Sequence, residues 1–249
     1  MNDKVKAFSD LHVPGDPLIL YNIWDAGSAR AVADAGAKAI ATGSWGVACS
    51  LGFKDGETLP LGAALENLRR ILSVTDLPVT IDMEAGYGAD PAAVGASVAR
   101  AAEAGAVGIN IEDKDPVSRQ LFDTADAASR IKAAATSGMW INARADLFIV
   151  TPKEQHDAVL VDAVLERAKA YANAGANSLF VPFMYDAALI GRLCEKSPLP
   201  VNILVGQGIP DIKTLAGLGV ARISHGHVPW AKAMDNLAMS AREAMAQLG

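Results

Sequence analysis

Cysteine is nearly missing. The 249 residues hold two, Cys49 and Cys194, far apart and without a partner spacing. That excludes a disulfide framework and a cysteine-built zinc site, and it makes a reducing cytoplasm the expected compartment. Both cysteines read as packing residues. No apolar run reaches the roughly 18 residues that a membrane span requires. The opening stretch, MNDKVKAFSDLHVPGD, lacks the apolar core of a signal peptide. Positive charge is in deficit: 22 Lys and Arg against 28 Asp and Glu leave a net charge of −6. A nucleic-acid or anionic-membrane partner is therefore not expected. No G-x-G-x-x-G opens a helix after the first apolar run, so the dinucleotide fingerprint is absent. No linker rich in Pro, Gly or Ser divides the chain, and 1–249 reads as a single domain.

What the chain does have is hydrophobic content, 51% of its residues, distributed in short β-rich runs. Eight are predicted as strands, at 18–25, 38–44, 78–84, 108–113, 140–146, 178–183, 200–205 and 221–226. Ala-rich helical stretches lie between them, such as DPAAVGASVARAAEAG, with Asp90 as cap and Pro91 at the first helical position. A weak repeat recurs in ADAGAKAIATG, AEAGAVGINIE, ANAGANSLFVP and AGLGVARISHG. Each ends a helix at a glycine suited to a left-handed cap and starts a strand two or three residues later. Eight such units in about 250 residues is the size of a TIM-type (β/α)8 barrel. A doubly wound sheet is the alternative. Residues 229–249 form an amphipathic run, with Trp230, Met234, Leu237, Ala241, Met245 and Leu248 at three- and four-residue steps. This helix suits packing on its own barrel or on a neighbouring subunit.

In a barrel the site lies at the C-terminal strand ends. Asp25 follows the first strand and reads equally well as a helix cap. Ser44, Trp45 and Gly46 follow the second, and the third carries Asp82 and Glu84 within TIDMEAGYG. The fourth ends in Glu112 and Asp113, the fifth in Asn142, Arg144 and Asp146. The sixth is apolar, the seventh offers Asn202, and the eighth leads to His225 and His227. Asp82 and Glu84 are two apart, so on a strand they point to the same side. Several carboxylates at one mouth call for a cation. With oxygen donors alone and no His or Cys cluster, that cation is Mg²⁺ or Mn²⁺ and not zinc. Arg144 suits a forked contact to a substrate carboxylate, charge compensation for an enolate, or a simple pair with Asp146 or Asp113.

The ordered set NIWDAGSARAVADAGAKAIATGS, LGFKDG, DMEAGYG, INIEDK and NARAD resembles the isocitrate lyase / phosphoenolpyruvate mutase superfamily, from about Leu18 to Ala221. The resemblance implies a β/α barrel, Mg²⁺ dependence, and making or breaking a C–C or C–P bond beside an α-keto acid through an enolate. It also implies homotetramers built from dimers that swap the last helix. Residue by residue, it implies metal-site acids at Asp82, Glu84 and Glu112, with Glu84 standing where Asp is usual. It further implies a substrate-binding and catalytic arginine at Arg144, a carboxylate cradle at Ser44, Trp45 and Gly46, and a mobile-loop acid at Asp55. Gly52 and Gly56 flank Asp55 as hinges. The lyases' K-K/R-C-G-H motif is missing after IEDK, and Phe183 stands where they carry a Glu. The chain thus resembles a short branch without the lyase cysteine.

The expectation is a Mg²⁺-dependent lyase or decarboxylase acting on a small α-keto or 2-hydroxy acid. Asp55, Arg144 and Glu112 would be its catalytic groups, and Ser44, Trp45, Gly46, Arg144 and Asn202 its substrate contacts. A C–P bond enzyme and a keto-acid-binding barrel without activity are the alternatives.

Overall fold

A computed structural model describes residues 3–247. Eight parallel strands form the barrel: β1 (Leu18–Leu20), β2 (Ile40–Ala41), β3 (Val79–Asp82), β4 (Gly108–Glu112), β5 (Trp140–Arg144), β6 (Ser178–Val181), β7 (Val201–Leu204) and β8 (Arg222–Ser224). Their order is β1-β8-β7-β6-β5-β4-β3-β2. The ring closes just past β1, where Ile23 bridges Thr42 in parallel register; the Ile23 N–H donates to the Ala41 carbonyl at 2.9 Å. The TIM-type expectation holds. Every predicted strand is present but shorter than predicted; β7 carries the expected contact Asn202 within it, and the others stop at or before the residues expected to do chemistry.

The helices are α1 (Asp3–Asp10), α2 (Ala26–Asp34), α3 (Ser44–Ser50), α4 (Leu61–Leu72), α5 (Pro91–Ala104) and α6 (Thr124–Ala135). They continue as α7 (Leu147–Val150), α8 (Ala158–Ala174), α9 (Ala187–Lys196), α10 (Ile212–Gly217) and α11 (Val228–Ala246). Aspartates start many of them. Asp25 forms a capping box with Ser28, and Asp90, Asp157, Asp186 and Asp211 each accept a backbone N–H from the first turn. Such a cap is worth about 1 kcal/mol. Asp25 is therefore a cap. Gly105 and Gly175 close α5 and α8 in the left-handed conformation that the repeat predicted.

The core lies between strands and helices, around residues such as Ile81, Ile109, Ile141, Val94, Val164 and Leu193. The lower end of the barrel is plugged by α1. Phe8 is fully buried there beside His12, whose ring stacks on Trp140 at 4.4 Å between centroids. Inside the barrel is a polar layer: Arg222 donates to Asn110 Oδ1 at 3.0 Å, and Asn142 donates to the same oxygen at 2.8 Å. No described helix is long and apolar enough to cross a membrane.

Candidate active site

The β3 end sets the geometry. Asp82 is the last strand residue; its Oδ2 accepts the Ser44 N–H at 3.2 Å and its Oδ1 the Glu84 N–H at 3.2 Å. Burial raises its pKa, opposed by the Arg144 charge and reinforced by Asp55. The chain then turns. Glu84 has φ 49°, in the left-handed region, so the two-residue alternation that would aim both acids the same way ends at Asp82. The Glu84 carboxylate instead takes the backbone N–H groups of Gly56 and Glu57 and the Tyr87 hydroxyl. Burial, Asp82 and Asp55 together push its pKa up to about 8.

The β4 and β5 ends form a charge network. Arg144 meets Glu112 Oε2 at 2.6 Å and grips both oxygens of Asp146, through Nε at 2.5 Å and Nη2 at 2.9 Å. Lys114 Nζ lies 2.5 Å from Asp146 and 3.7 Å from Glu112. Burial raises the Glu112 pKa against the pull of Arg144 and Lys114. Asp146 is fully buried, a cost offset only because two cations neutralise it. Asp113 faces the other way. It accepts from the Asp146 backbone N–H, the Tyr171 hydroxyl and Arg167, fastening the site to α8.

These strand ends open onto one cavity of about 330 Å³. Asp82, Asp55, Arg144 and Lys114 line one side; Ile149, Phe180, Pro182, Phe183 and Leu204 make the other apolar. Ser44, Trp45, Asn22 and His227 border it, and the Trp45 and His227 rings stand 5.7 Å apart. Phe183 has φ 61°, a strained conformation for a bulky residue, and this backbone sets it in the apolar wall.

Other expected residues fall elsewhere. Gly46 is buried behind the cavity, where an added Cβ would come within 3.2 Å of the Cβ atoms of Trp24 and Trp230. Asn202 is fully buried in the barrel interior, bonded to Ser224, and does not line the cavity. His225 is tied to the Leu20 carbonyl. Of Asp82, Glu84 and Glu112, only Asp82 reaches the cavity wall. Among the described residues, no three His, Cys, Asp or Glu side chains gather where they could hold a metal ion. Cys194 is half-buried and its thiol pKa is pushed up to about 11 by burial, as suits packing. Sequence reasoning noted Lys114 in the IEDK motif and Asp146 as a partner of Arg144 but gave neither a role in the site. The signal was available: each stands two residues past a chosen one, Glu112 and Arg144.

A parallel barrel with charged strand ends around one small cavity is an arrangement common to barrel enzymes. The chain matches the phosphoenolpyruvate phosphomutase family over residues 8–245, and it belongs to the phosphoenolpyruvate mutase/isocitrate lyase superfamily of lyases and mutases. It is 37% identical over 238 residues to an uncharacterized Mycobacterium tuberculosis protein, covering 95% of this chain and 88% of the relative. It is 30% identical over 206 residues to 2-methylisocitrate lyase of Escherichia coli K12, covering 79% and 68%. A crystal structure of a provisionally named phosphonomutase from Burkholderia cenocepacia J2315 superposes with a TM-score of 0.95 at 48% identity, covering 98% and 99%. At the level of fold alone, phosphonopyruvate hydrolase in complex with oxalate and Mg²⁺ matches with a TM-score of 0.85 at 20% identity, covering 99% and 88%.

Proposed function

We propose that the protein is a Mg²⁺-dependent lyase cleaving a C–C bond in a small 2-hydroxy or α-keto carboxylic acid, with the bonding electrons received as an enolate. The observation that carries this reading is the two-sided cavity: acids and cations on one wall, apolar side chains on the other.

The donor set fits the cation. Asp82 and Asp55 repel each other, and Asp55 Oδ1 is buried without a partner. A hard divalent ion that keeps several waters needs only one or two carboxylates of this kind. Asp82 would hold it, with Asp55 and Glu112 the further acids acting on Asp82 by charge; Mn²⁺ suits the same oxygens. When bound, the ion supplies Lewis-acid polarisation of substrate oxygens.

The chain's own groups supply the remainder. Arg144 is clamped by Glu112 and Asp146, so its free N–H donors meet developing enolate charge without first reorganising. From a 2-hydroxy acid, the C2 hydroxyl loses its proton and becomes the carbonyl of a pyruvate- or glyoxylate-like product. The C2–C3 pair moves into the enolate of the other fragment's carboxyl group, and a proton returns to that carbon. From a keto acid that loses CO₂, the pair moves into the enolate of the keto acid left behind, which a proton then quenches at carbon. Asp55 is the group for one of these transfers. Phe180, Pro182, Phe183, Ile149 and Leu204 favour an alkyl or aryl substituent over a further carboxylate on the departing fragment, because a charge set against them would lose its hydration. A second reading, C–P bond chemistry, is supported by Lys114 beside Arg144, a cation pair suited to a phosphonate.

A homotetramer of helix-swapped dimers is part of the same proposal. Within α11 only Pro229 is buried; Leu237, Met239 and Met245 are exposed. Beside β1 an open groove of about 730 Å³ exposes Val13, Ile19 and Tyr21, and α11 of a second copy suits it. Leu248, the last residue of the predicted apolar stripe, lies outside the described residues.

Replacing Asp82 with Ala tests the assignment. Mg²⁺-stimulated turnover is expected to fall by at least a hundredfold, and undiminished turnover would show that the ion binds elsewhere.

A further inference from the structure

Asp82 and Glu84 do different work. Asp82 faces the cavity, whereas Glu84 is buried behind it and reaches back under the 52–58 loop. Its Oε2 accepts the Gly56 N–H at 2.8 Å and the Glu57 N–H at 2.7 Å, and its Oε1 accepts the Tyr87 hydroxyl at 3.2 Å. The clasp is reciprocal, since Glu57 Oε1 accepts the Tyr87 N–H at 2.8 Å. Glu57, Glu84 and Tyr87 all hold left-handed backbone, with φ of 55°, 49° and 51°. Non-glycine residues stay in that region only where surrounding bonds over-determine them. Directly before Gly56 comes Asp55, whose carboxylate lines the cavity.

We propose that Glu84 is a positioning residue, the latch that holds the 52–58 loop down and thereby presents Asp55 to the substrate, and that it is not a group of the metal's own shell. This explains its length. Asp at this position would end about one C–C bond, roughly 1.5 Å, short of the two loop amides. The importance of Asp55 rests on the lyase reading; the latch itself does not.

Two substitutions separate latch from ligand. Glu84→Gln keeps an oxygen that accepts both amides, and Glu84→Asp keeps the charge but loses the reach. The readouts are hydrogen exchange of the Gly56 and Glu57 amides, Mg²⁺ affinity by calorimetry, and kcat against KM. For Glu84→Gln, wild-type protection and kcat within about threefold are expected. For Glu84→Asp, at least tenfold faster exchange and a tenfold lower kcat are expected, with KM changed less. Mg²⁺ affinity stays at the wild-type value in both. The opposite pattern, in which Glu84→Asp keeps protection while Glu84→Gln loses Mg²⁺ affinity tenfold, overturns the latch. Exchange needs no substrate, so a protein that turns over none of the acids offered still confirms or refutes the latch.

Discussion

His12 shows what one residue contributes to the barrel's response to pH. Its ring stacks on Trp140, Nδ1 meets the Phe8 carbonyl at 2.9 Å, and Nε2 is buried without a partner. Burial, with the Arg222 charge adding to it, lowers its pKa to about 3. The folded value lies below the unfolded one, near 6.5, so the neutral ring's contribution is complete above that pH and lost as pH falls toward 3. The slope is about 1.4 kcal/mol per pH unit for one proton. His12→Phe keeps the stacking and removes the proton site. Urea unfolding at pH 7 and pH 5 is expected to show the wild type losing about 2 kcal/mol more than the variant. Equal losses would place the acid sensitivity elsewhere. Arg222, likewise fully buried, has its pKa lowered to about 9 by burial. Neither residue was marked by any motif, because a barrel's filled interior leaves no regular spacing in the sequence.

Among the elements, the strands were legible as β-rich runs, and four of them also repeat a glycine cap and a short gap before the run. Their ends were not. β3 was predicted through Glu84 and stops at Asp82, since the loop amides capture the Glu84 carboxylate and turn the chain. That capture joins residues 28 positions apart, beyond any local pattern. The Arg144 pairing with Asp146, by contrast, was one of the readings taken from the sequence, because both sit on one strand end. α11 was legible as amphipathic, and its exposed Leu237 and Met245 follow that pattern. Deleting residues 233–249 spares His227 at the cavity and Trp230 packed near Gly46. If the proposed helix exchange holds the subunits together, light scattering is expected to show a smaller mass than the full chain, whereas an unchanged mass would refute it.

For the whole molecule, the barrel puts the charged groups of the cavity on one rim and leaves the opposite end to α1 and its buried rings. The order of the motifs carried the family, and the separate roles of the strand-end acids needed the folded chain. The apolar wall was half visible: Phe183 stood out against the lyase pattern, while Phe180, Ile149 and Leu204 come from β6, α7 and β7 and meet only in the cavity. Mg²⁺-dependent C–C cleavage of an acid with an apolar substituent is what the cavity implies. Its most direct test is release of pyruvate or glyoxylate from a panel of 2-hydroxy and keto acids, with and without EDTA, with ³¹P detection for phosphonates. Mg²⁺-dependent release is expected, fastest from alkyl-substituted acids and abolished by EDTA. Turnover confined to phosphonates, or undiminished by EDTA, would contradict it.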